Sequence, residues 1–173
     1  MTTSDDARLG LAVKSGYSPV APEKPGAAFR STRVAVVGTR WNHELVDALI
    51  AGASRCLHGF GVLDINITEL RVPGAFELPL ATEALMHSGR FDAVVALGAV
   101  IRGETPHFDY VCTQCSQGLR EASQRYRVPV GFGVLTVENP QQGAARAGSG
   151  LDNKGYQAAA AALEMVALLR EIK

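Results

Sequence analysis

The chain has 173 residues, enough for one domain that buries its core without disulfide or metal staples. Hydrophobic residues make up 47% and charged residues 20%, which excludes a disordered or fibrous chain. Lys+Arg and Asp+Glu both total 17, so the chain has no electrostatic footprint for nucleic acid or an anionic membrane, and little repulsion to keep copies apart.

Residues 1–31 are rich in Ala, Pro, Gly and Ser without apolar periodicity, and read as a flexible tail ahead of one domain, residues 32–173. Val34-Ala35-Val36-Val37-Gly38 is a continuous apolar run, as expected of a strand buried on both faces. Leu45, Val46, Leu49, Ile50, Ala53, Leu57 and Phe60 recur at helical spacing, with Asn42 placed to cap the start and Gly59 and Gly61 to end it. Leu63, Ile65 and Ile67 alternate with Asp64, Asn66 and Thr68, which predicts a half-exposed strand at a sheet edge. A helix follows over Ala75–His87, with Pro79 in its first turn and Gly89 as its stop.

Ala93–Ile101 is almost wholly apolar and reads as a central strand. A helix over Phe108–Tyr126, a strand over Val128–Val137 and helices over Pro140–Ala147 and Lys154–Ile172 complete the chain. Strands alternating with helices imply an α/β fold, a parallel sheet with helices on both faces. With the edge-like strand second in the chain, the order is flavodoxin-like, 2-1-3-4.

Three cysteines (Cys56, Cys112 and Cys115) are odd in number and sparse, which points to a reducing cytoplasm. No apolar run reaches the ~18 residues of a membrane span. Met1–Leu11, with Asp5 and Asp6, does not read as a secretory signal. Cys112-Thr-Gln-Cys115 is a C-x-x-C, but neither a second one nor a spaced His pair exists to complete a zinc site. It falls inside a helix, away from the N-terminus where a thiolate is activated, so both residues read as packing or surface cysteines. No G-x-G-x-x-G, G-x-x-x-x-G-K-[ST] or G-x-S-x-G occurs. The Ala158–Ala162 run reads as a closely packed helix face, and Phe132 as core.

Ligands of an open parallel sheet bind beyond the carboxyl ends of its strands, and the unusual residues cluster there. Thr39-Arg40-Trp41-Asn42 follows the first strand and holds the only tryptophan; Val72–Pro79 follows the second; Ile101–Asp109 follows the third. Gly103-Glu104-Thr105 is expected to open a helix, whose free N–H groups and dipole would favour an anion such as phosphate. His107 on the same turn is a candidate proton shuttle, with a structural histidine as the competing reading.

VPGAFELP (Val72–Pro79), ALGAVIRGETPHFD (Ala96–Asp109), FGVLT (Phe132–Thr136), and Arg146-Ala-Gly followed by Asn153-Lys-Gly resemble the 6,7-dimethyl-8-ribityllumazine synthase family, in its order and spacing, over Val34–Leu169. The resemblance implies a flavodoxin-like three-layer α/β/α sandwich. It also implies a transferase of riboflavin biosynthesis that joins 5-amino-6-ribitylaminouracil to 3,4-dihydroxy-2-butanone 4-phosphate without cofactor or metal. By position in those motifs, Trp41 would stack on the pyrimidine, standing where the family more often has Phe, and Asn42 would follow it. Ala75 and Phe76 would offer backbone groups, Glu77 would accept from ribityl hydroxyls, and Ala99, Val100 and Ile101 would lie along the heterocycle. Gly103, Glu104 and Thr105 would hold the phosphate, and His107 would be the general acid/base.

In this family the site lies between subunits. Phe132, Lys154 and the phosphate-binding Arg146 would therefore come from an adjacent chain, which displaces the core reading of Phe132. Gln114 and Cys115 depart from the family's usual Glu and Ala, a change without evident functional meaning. Pentameric rings are the family's unit, and some members close twelve of them into a shell; the short Arg146–Gly155 connection, with Gly148, Gly150 and Gly155 allowing a tight bend, favours the sixty-subunit form. The resemblance names riboflavin synthase as a further partner. Two rival readings are a flavin-binding module without catalysis and a purely structural shell; neither has a use for Glu77, His107 and Arg146 together.

Overall fold

The computed structural model describes residues 26–172. Four parallel strands, β1 (Val34–Thr39), β2 (Ile67–Val72), β3 (Ala93–Ile101) and β4 (Val130–Val137), form one sheet in the order 2-1-3-4. The helices are α1 (His43–Gly59), α2 (Leu78–His87), α3 (His107–Tyr126), α4 (Pro140–Ala144) and α5 (Lys154–Ile172). The expected α/β sandwich is therefore the architecture found.

The sheet separates two cores. In β1, Val34 and Val36 point to the side covered by α1 and α5, and Ala35 and Val37 to the side covered by α2 and α3. This alternation with apolar residues on both faces is why β1 and β3 read as continuous apolar runs. Ala158, Ala159, Ala160 and Ala162 of α5 are buried, and Ala158 and Ala162 lie against β4. Gly131 and Gly133 make room for them: a Cβ at Gly131 would overlap the Ala158 carbonyl, and one at Gly133 would come within 3.1 Å of the Ala158 methyl.

Several expectations need correction. The alternation from Leu63 to Thr68 is a strand only at its end: Asp64–Asn66 forms a 3-10 turn, and β2 begins at Ile67. Ile65 is solvent-exposed, so its spacing reports no buried face. β2 does lie at the sheet edge. The last strand begins at Val130 rather than Val128, and α4 ends at Ala144 rather than Ala147. Gly148 and Gly150 have no left-handed φ, and Gly155 is small because a Cβ would overlap the Leu49 carbonyl of α1. The tight connection thus rests on close approach, not on glycine bends.

Most of the segment expected to be a tail, residues 1–25, lies outside the described residues. Its end is fastened. Phe29 meets Phe60 edge to face at 5.8 Å, Asn66 donates to the Arg30 carbonyl at 2.7 Å, and Arg170 donates to the Ala28 carbonyl at 3.0 Å. No helix among the described residues is long and apolar enough to cross a membrane.

Candidate active site

The strand order reverses between β1 and β3, and the loops at their carboxyl ends, with the loop after β2, enclose a cavity of about 550 Å³. Trp41, Asn42, Ala75, Phe76, Glu77, Ala99, Val100, Ile101 and His107 line it. Nine residues singled out from the sequence thus converge on one hollow. Gly74 and Val111 line it as well. Val111 stands one helical turn beyond His107, and that i+4 spacing is the sign by which it could have been found.

The rim is stitched by backbone and side chains. The N–H groups of Arg40 and Trp41 donate to the carbonyls of Val72 at 2.8 Å and Pro73 at 3.2 Å, and the Thr39 hydroxyl donates to the Trp41 carbonyl at 3.1 Å. Trp41 is held by its backbone while its indole stays 73% exposed. Asn42 corrects the capping expectation. It precedes α1 in the left-handed region, φ 55° and ψ 43°, and makes no side-chain cap. Its Nδ2 crosses the sheet end to donate to the Ala99 carbonyl at 2.8 Å, locking the first loop to the ledge of β3. Asn is one of the few non-glycine residues at home in that conformation.

Glu77 closes the 3-10 turn Ala75–Glu77, and its Oε2 accepts from the Gly74 N–H at 2.8 Å. Glu77 lines the cavity from this turn. The turn Gly103-Glu104-Thr105 does not open α3 as expected: Pro106 precedes the helix and His107 is its first residue. The three turn residues are exposed and lie outside the lining of the cavity. Arg102 anchors that turn. Its guanidinium lies 4.1 Å over the Phe108 ring, and it pairs with Asp109 at 3.2 Å and Glu138 at 2.9 Å.

The remaining expected residues lie elsewhere on the chain. Phe132, Arg146 and Lys154 line a separate hollow of about 210 Å³, together with Gly133–Thr136. Phe132 is 48% exposed on edge strand β4, so it is not core. One chain therefore carries two separated sets of candidate residues. The Arg146 guanidinium donates to the Gln142 carbonyl of α4 at 2.9 Å.

Cys112 and Cys115 lie on α3, where burial pushes both thiols up, that of Cys115 to about 12. A raised thiol holds less of the thiolate that attacks or binds metal.

A sequence model described as 6,7-dimethyl-8-ribityllumazine synthase matches residues 31–170. Similar proteins include the 6,7-dimethyl-8-ribityllumazine synthase of Desulfovibrio desulfuricans, 48% identical over 143 residues, 83% of this chain and 92% of the relative. That of Kineococcus radiotolerans is 54% identical over 142 residues, 81% of this chain and 86% of the relative. On a match over most of its length and identities near one half, the chain belongs to the 6,7-dimethyl-8-ribityllumazine synthase family.

Proposed function

We propose that the active site is completed between two copies, the Trp41 cavity of one chain facing the Phe132, Arg146 and Lys154 hollow of the next. As a family member the chain is a transferase of riboflavin biosynthesis. It condenses 5-amino-6-ribitylaminouracil with 3,4-dihydroxy-2-butanone 4-phosphate to give 6,7-dimethyl-8-ribityllumazine, phosphate and water. The observation that carries the shared site is the separation itself: the nine residues of the first cavity and the cations of the second hollow do not meet within one chain.

In this reading the pyrimidine stacks on the exposed Trp41 indole, which offers a broad π-face. It rests along Ala99, Val100 and Ile101, with Asn42, Ala75 and Phe76 around it. Glu77 accepts from the ribityl hydroxyls. Phe132 and Lys154 of the neighbouring copy close over the ring. Gly103, Glu104 and Thr105 with the neighbour's Arg146 receive the phosphate, where a guanidinium adds charge-assisted hydrogen bonds to backbone donors. Attack of the amine on the carbonyl, loss of phosphate and ring closure each need a proton moved. His107, at the first position of α3 and facing the cavity, moves it. Such general acid–base help contributes ~10²–10⁴-fold, and orientation of the two substrates adds several kcal/mol.

Sixty copies as a shell of twelve pentamers, riboflavin synthase as its partner and the cytoplasm as its place complete the proposal. The compact connection before α5 supports the shell, and three unpaired cysteines support the compartment. Incubation with both substrates tests the activity: release of phosphate together with a fluorescent lumazine is expected. Binding of a yellow ligand without phosphate release would instead identify a non-catalytic module.

A further inference from the structure

Asn153 stands where α5 begins, 1% exposed, with every hydrogen-bonding position of its amide filled. Its Oδ1 accepts from the N–H groups of Gly155 at 2.8 Å and Tyr156 at 3.1 Å, capping α5. Its Nδ2 donates to the Ala48 carbonyl of α1 at 3.1 Å and to the Gly148 carbonyl in the connection from α4 at 2.7 Å. The surroundings are cut to this amide. A Cβ at Gly52 of α1 would overlap it, and a Cβ at Gly155 would overlap the Leu49 carbonyl.

The loop tied down in this way begins just after α4 and carries Arg146, whose carbonyl accepts from the Lys154 N–H at 2.9 Å. Arg55 adds a tie from the outside, its Nη2 donating to the Ser149 carbonyl at 3.0 Å. We infer that Asn153 is a positioning residue for anion binding: by holding Gly148 and the start of α5 against α1, it fixes the backbone on which Arg146 stands. The inference rests on the reading of the Arg146 hollow as the donated phosphate half-site. A guanidinium on a fixed backbone meets its anion preorganised, whereas one on a loose loop must first be ordered.

The test uses the assembled protein with inorganic phosphate as probe, read as inhibition competitive with the butanone phosphate. Asn153→Asp keeps the cap on α5 but replaces both donated hydrogen bonds by carboxylate facing carbonyl. It should weaken phosphate inhibition and raise the KM for the butanone phosphate about ten-fold, with kcat and the KM for the pyrimidine changed by less than about two-fold. Arg55→Ala, an exposed change that leaves the cap alone, should move the same two constants about two-fold in the same direction. A purely stabilising role would lower Tm and the active fraction while leaving both constants in place, and that result overturns the inference. If Asn153→Asp does not assemble, Arg55→Ala decides: unchanged phosphate inhibition refutes it. Arg146→Ala is measured beside them. If Arg146→Ala leaves phosphate inhibition unchanged, the reading of the hollow fails and takes the inference with it; a loss there with none in the other two refutes the role of Asn153 alone.

Discussion

His107 is exposed and belongs to neither core, so replacing it probes the chemistry without disturbing the packing. His107→Ala should lower turnover by ~10²–10⁴-fold, with a melting temperature unchanged within what surface substitutions cause. A folded variant with full activity would remove the proton-transfer role. Arg146→Ala should raise the KM for the butanone phosphate far more than that for the pyrimidine. In the proposed shared site the two residues come from different chains, so unfolding His107→Ala and Arg146→Ala chains together and refolding them should restore part of the activity. Mixtures that stay as inactive as either parent would mean that both residues act within one chain. At this scale the sequence was legible where residue type and chemistry coincide, as at Trp41, Glu77 and His107. It was silent on Asn42, whose residue type suits a helix cap and a left-handed bridge equally well; the choice was made by the Ala99 carbonyl, 57 positions away.

Helices and strands here are placed as much by missing side chains as by large ones. Ala158 lies on the backbone of β4 because Gly131 has no Cβ, so Gly131→Ala forces α5 outward. The expected cost is about 1–3 kcal/mol of stability from overpacking, measured by denaturant unfolding; an unchanged midpoint would mean that the helix shifts freely. The starts of β1 and β3 are joined by Arg33 and Asp92, whose N–H and carboxylate, and N–H and carbonyl, bond reciprocally at 2.8 Å. Burial works to raise the Asp92 carboxyl, but the hydrogen bonds and charge of Arg33 outweigh it and hold the carboxyl below its ordinary value. A depressed carboxylate stabilises the fold above its unfolded value near 3.9, and that contribution fades as pH falls through the folded one. Asp92→Asn should therefore cost no more than about 1 kcal/mol at neutral pH, since the pair is partly solvated, and nothing once acid has protonated the wild-type residue. Equal losses at both pH values would show that the charge is irrelevant. Buried β3 was legible to the residue because nothing polar interrupts it, whereas β2, with solvent along one edge, has no such pattern. A 3-10 turn over Asp64–Asn66 produced the same alternation by chance.

Across the whole molecule, the proposed pairing of two half-sites needs at least two chains, and the proposed ring would bring five. For a chain of 18.3 kDa, light scattering should find a particle of roughly 1.1 MDa for sixty copies, against roughly 92 kDa for an isolated ring. The smaller value would show that the compact connection between α4 and α5 does not suffice to close a shell. The parallel order 2-1-3-4 was legible from the alternation of elements together with the edge-like reading of the second strand. The proposed division of the site came from the family resemblance and not from periodicity, which reports which face of a strand is apolar and not whose side chains cover it. Phe132 is the instance: its neighbours in β4 are buried, and nothing in their spacing marks it as facing outward.

The indole of Trp41 is the only one in the chain and lies open at the mouth of the cavity. Every photon emitted on tryptophan excitation therefore comes from the place where substrate is expected to dock. An unassembled chain should emit at the red wavelengths of a hydrated indole. Closure by a neighbour should shift that emission to the blue, and a stacked pyrimidine should quench it. The enzyme thus contains an optical gauge that distinguishes an empty half-site, an assembled one and an occupied one without any added label.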